Sequence, residues 1–140
     1  MWLVYAFATI IAYVGLDFFI KKASGKIDDF AGAFLINLFA LIPVLLIYIW
    51  LKVTNHSMLF TKEGVMSAIF AGLSVGIGSI TFIKVFSSGA NLSIGSPVVR
   101  IGTIVLITLI SLFVLKESLT AKQLIGLALS LVGLVLVTFK

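Results

Sequence analysis

Three ionisable side chains, Asp17, Lys84 and Arg100, interrupt otherwise apolar stretches of this chain. A charge at the centre of a bilayer costs roughly 2.5–3.5 kcal/mol on insertion scales, so each calls for a partner, a route to water or a ligand. Two chemistries are open for each. Lys84 either extends its ammonium to the headgroups on its apolar stem or faces a polar cavity. Asp17 either pairs with Lys21, four residues on along a helix, or joins Arg100. Arg100 is the deepest of the three, about six residues or ~9 Å from the start of a helix that begins at Ile94. Its planar guanidinium either binds lipid phosphate at the interface, or faces a cavity and holds Asp17 or an anionic substrate group through paired donors. Asn37, Ser74, Ser79, Thr81, Thr103 and Thr108 offer further donors and acceptors, with a bond back to their own helix as the alternative. The candidate substrate-binding set is Arg100, Asp17, Lys84, Asn37 and Ser79.

Catalytic chemistry has little to work with. The 140 residues include no Cys and one His, which excludes a thiolate nucleophile, a Cys-based zinc site and a multi-histidine cluster. No nucleophile, acid and base can be grouped, and no phosphate-cradling loop is present. The expectation is a protein that is not an enzyme, with no metal and no cofactor. His56, between Asn55 and Ser57, reads as a solvated loop residue.

The elements that must position these groups follow from composition. The chain is 61% hydrophobic and only 11% charged, with a mean hydropathy of +1.29. Soluble domains carry about 25% charged residues, so lipid is the expected solvent. The net charge of +5 would point to an anionic partner in a soluble protein. Here it flanks membrane spans, and no nucleic acid is expected. Stretches of about 20 apolar residues bounded by charges predict five transmembrane helices at 2–20, 30–51, 64–86, 94–115 and 123–139. No stretch alternates as a barrel strand would. The first span lacks a basic leader and a small-residue cleavage site, so it reads as retained. The loops are short and leave no room for a soluble catalytic domain.

Local signals refine these elements. Thr120 and Gln123 have the spacing of a capping box, which starts the fifth helix near Ala121. Ser96-Pro97 reads either as an N-cap followed by Pro at the first helical position, or as a kink in a helix that began near Asn91. Pro43 falls mid-span and predicts a bend. Ala68, Gly72 and Gly76 recur every four residues, and Gly126, Ser130 and Gly133 form a second small stripe. Such stripes let helices approach closely, within one subunit or between two copies. A flexible third helix is a further reading of the first stripe. Trp2, Tyr48 and Trp50 stand where interfacial anchors belong.

The stretch from Asn91, NLSIGSPVVRIGTIVLITLISLFVLKESLTAKQLIGLALSLVGLVLVTF, resembles the end of an EamA-type domain of the drug/metabolite transporter superfamily. The resemblance lies in a small-residue turn, a Pro-containing helix, Glu117 followed by Ser118-Leu119-Thr120, a glutamine, and Gly126 and Gly133 seven residues apart. Trp2, Gly15 and Lys21 extend it more loosely to the N-terminus. It implies an all-α membrane protein in which residues 1–140 form one five-helix domain, half of a transporter. It further implies secondary transport of a small metabolite or drug-like molecule by alternating access, in a prokaryotic-type inner membrane. Glu117 matches a helix-end motif with a structural or gating role. The related small multidrug exporters have four spans and a glutamate midway along the first, which Asp17 does not match. A non-transporting accessory or lipid-interacting scaffold is the alternative from another class.

Relatives with ten spans carry two inverted units, so a five-span chain is expected to form a homodimer, in one arrangement antiparallel. The loops on the N-terminal side carry Lys52, Lys62, Lys116 and Lys122, and the other side carries Lys21, Lys22, Lys26 and Lys140, with Lys84 at the boundary. That near-balance sets orientation weakly and fits a chain that inserts both ways. A parallel dimer and a monomer with its N-terminus outside are the other arrangements. The expected partners are the bilayer, a small-molecule substrate and a second copy.

Overall fold

A computed structural model describes residues 2–138 as five helices: α1 (Trp2–Ala23), α2 (Asp29–Val53), α3 (Lys62–Ser87), α4 (Leu92–Phe113) and α5 (Ala121–Thr138). Four are long and apolar enough to cross a membrane; α5 is a shorter apolar helix. No strand forms among the described residues. The expected end of the fifth span at Phe139, and Lys140 with it, lie outside the described residues. The chain divides into two compact units, Met1–Gly89 and Ala90–Lys140.

The helix ends are set by local chemistry. Asp28 caps α2, its carboxylate accepting from the amides of Phe30 at 2.9 Å and Ala31 at 3.2 Å. The Thr61 hydroxyl accepts from Gly64 N–H at 3.1 Å and starts α3. Each cap satisfies amides that the first turn leaves free. At α5 the expected box forms, with Thr120 N–H donating to Gln123 Oε1 at 2.8 Å. α1 stops in a turn through Gly25 at φ +74° and α3 in one through Gly89 at φ +102°, values that suit glycine. α4 begins at Leu92, five residues before Pro97, which decides the Ser96-Pro97 alternatives: the proline lies inside the helix. Pro43 likewise lies inside α2.

In the first unit α3 packs against both α1 and α2. The buried residues described in this unit are Asp17, Ile20, Gly32, Ala33, Ile83 and Phe86. All six lie in the last two turns of α1, the first turns of α2 or the end of α3. Phe86 is 2% exposed and makes an edge-to-face contact with Phe82, ring centres 5.1 Å apart. Gly32 marks the close approach: a Cβ there would stand 3.4 Å from Ile83 Cδ1 and 3.4 Å from Ile27 Cγ2. Away from this end the side chains of α2 and α3 are largely exposed, Phe70 at 62%. In the second unit α4 packs on α5.

Packing so localised gives a clear contrast. Phe86→Ala should lower stability by about 3–5 kcal/mol, the usual cost of emptying a buried phenylalanine site, and Phe70→Ala should change it little. Thermal unfolding of both variants in detergent micelles checks this.

Candidate functional site

The candidate residues divide between the units. Asp17, Asn37, Ser79 and Lys84 belong to the first, and Arg100 to the second. Asp17 lies six residues before the end of α1, at 7% exposure, a carboxylate held at the packed end of its unit. Lys84, in the last turn of α3, sends its ammonium to the face of Phe30 in the first turn of α2, 4.9 Å from the ring centre. That is within the reach of a cation–π contact. Lys21 makes a similar approach to Phe86 at 5.7 Å.

Asn37 stands eight residues into α2, Ser79 eight residues before the end of α3, and Arg100 eight residues into α4. At 1.5 Å per residue this is about 12 Å along each helix axis from that end. The earlier start of α4 therefore takes Arg100 deeper than a start at Ile94 would. Arg100 is half-buried. The amide of Asn37 donates to the Ala33 carbonyl at 2.8 Å and the Ser79 hydroxyl to the Val75 carbonyl at 2.8 Å.

Back-bonding of this kind recurs. Ser74, Thr81, Thr103, Thr108 and Ser130 all donate to a carbonyl one turn earlier. Ser130 and Thr108 face a groove between α4 and α5 that Ile104, Leu119, Gln123 and Leu127 complete. At the glycines of the small stripes there is open space: a Cβ at Gly72, Gly76, Gly126 or Gly133 would meet nothing within 4 Å. Glu117 is tied to the end of α4, where Ser111 donates its hydroxyl to the Glu117 carboxylate and accepts the Glu117 N–H at its carbonyl, 3.1 Å away. His56 is exposed. Among the described residues no group of His, Asp and Glu could hold a metal ion.

Sequence reasoning missed one cluster at the packed end. Ser87 Oγ donates to Asp29 Oδ2 at 3.0 Å, joining the end of α3 to the start of α2 across 58 positions. Asp29 reads in the sequence only as a span boundary, and Phe30 only as the first apolar residue after it. No periodicity links either residue to Ser87 or Lys84.

No curated protein and no solved structure matches the chain. A model of the EamA-like transporter family, of the drug/metabolite transporter superfamily, matches residues 1–139, a range that covers all the described helices. With that match over four long apolar helices and a shorter fifth, the chain is an integral membrane protein and belongs to the EamA-like transporter family.

Proposed function

We propose that this chain is half of a secondary transporter, moving a small metabolite or drug-like molecule across a prokaryotic-type inner membrane by alternating access. The observation that supports the reading beyond family membership is that Asn37, Ser79 and Arg100 each lie eight residues inside a long apolar helix, about 12 Å from its nearer end. Secondary transporters bind substrate near the bilayer midplane. Asn37 and Ser79 bond to carbonyls of their own helices, and Arg100 brings a planar guanidinium, a group whose geometry suits an anionic moiety. Asp17 serves as its counter-charge or as a substrate contact, and Lys84 guards the same membrane side. A thermal-shift screen of metabolites on purified protein, followed by uptake of the hits into liposomes, tests the reading as a whole. A screen without hits and without uptake favours the non-transporting scaffold.

The working unit in this proposal is a homodimer of two copies in opposite orientations. The open space over Gly72, Gly76, Gly126 and Gly133 supports it, because these faces have room for close approach by another helix.

Arg100→Lys should lower transport about tenfold or more, since one ammonium cannot replace paired guanidinium donors whose charged hydrogen bonds contribute ~1.5–3 kcal/mol each. Normal uptake by Arg100→Ala at equal expression removes Arg100 from the site. Asp17→Asn keeps shape and loses charge, and should leave residual transport with altered affinity. Complete loss of pH-driven flux with binding retained would instead make Asp17 the proton carrier. Single cysteines placed in the loop 21–29 and at the C-terminus report orientation. Partial labelling of each by a membrane-impermeant reagent in intact cells is expected for dual insertion, and one-sided labelling eliminates it.

A further inference from the structure

The first unit is pinned at one end. Its buried residues, Asp17, Ile20, Gly32, Ala33, Ile83 and Phe86, all lie where α1 ends, α2 begins and α3 ends. Two contacts lie beside that cluster, at the same helix ends. Ser87 donates to Asp29 at 3.0 Å, and the Lys84 ammonium sits 4.9 Å from the centre of the Phe30 ring. Both join the last turn of α3 to the first turn of α2, and both involve exposed side chains or a half-buried one. Beneath them Ile83 is 3% exposed and reaches to within 3.4 Å of where a Cβ on Gly32 would stand. Further along α3, a Cβ at Gly72, Gly76 or Gly78 would meet nothing within 4 Å. Burial in this unit is concentrated at this end of its helices, where these contacts lie.

We propose that the Asp29–Ser87 hydrogen bond and the Lys84–Phe30 contact form a latch that holds this end of the first unit shut, and that its release admits water to the face of α3 carrying Ile83. The contacts suit that role physically. Each is exposed and worth little alone, so thermal motion breaks them without unfolding either helix. Each is also directional, so the unit re-forms the same closed arrangement. The inference rests on the alternating-access reading, in which each membrane face must open in turn.

The chain contains no cysteine, so a single reporter thiol has no background. Ile83→Cys in purified protein in liposomes, labelled with a membrane-impermeant maleimide, reads opening at the latch. With the latch intact, labelling should be slow. Adding Ser87→Ala or Phe30→Leu should speed it about two- to tenfold, the range set by one exposed hydrogen bond or cation–π contact, with an unchanged thermal midpoint. Phe30→Leu keeps an apolar side chain at the helix start, so it guards against a result caused by misfolding in one variant. Unchanged labelling in both variants overturns the latch. Acceleration that only follows a fall in the thermal midpoint also overturns it, because that marks general loosening. Labelling requires no substrate, so a failed uptake assay leaves this result intact and the two readings fall separately.

Discussion

The first unit depends on the fit between the last turn of α3 and the start of α2. In water the hydrophobic effect would drive apolar helices together along their whole length. In a bilayer an apolar side chain gains little by leaving lipid, and helices associate through close packing and polar contacts. Gly32 and Ala33 supply the small surface, and Ile83 and Phe86 supply the knobs that fill it. Burial is concentrated where small and large residues face each other, with the Asp29–Ser87 hydrogen bond at its edge. α2 is the most apolar of the four long helices, yet beyond Gly32 and Ala33 it has no buried residue.

A second constraint acts on the polar groups. Hydrocarbon offers no hydrogen bonds, so polar side chains within a span must find partners in the protein. Most of the serine and threonine hydroxyls along these helices donate to the carbonyl one turn back, and Asn37 does the same with its amide. The polarity visible in the sequence is thereby reduced to a few charges with unusual reach. Arg100 stands out among these by its chemistry, a planar fork of five donors that suits an anionic group. Family membership says that such a chain transports; side-chain chemistry narrows attention to the charged groups.

What the sequence by itself determined is the local part. Five helices, their approximate ends, the Thr120–Gln123 box and the poverty of catalytic groups were all legible, because each rests on residues within one or two turns of each other or on the length of an apolar run. The resemblance around Asn91 to Gly133 was legible for a related reason: it is a pattern of helix ends and small residues, both local. Tertiary structure decided the pairings. Lys84 goes to the Phe30 ring, Asp29 meets Ser87 across 58 positions, and Gly32, unmarked by any periodicity, lies close against Ile83 of α3. Gly72 and Gly76, which do show periodicity, face open space. The physical reason is that nearly every face of these helices is apolar and lipid satisfies all of them alike. Hydrophobic pattern therefore marks where a helix runs but not which side of it meets another, a choice made by steric fit and a few polar contacts between residues far apart in the chain.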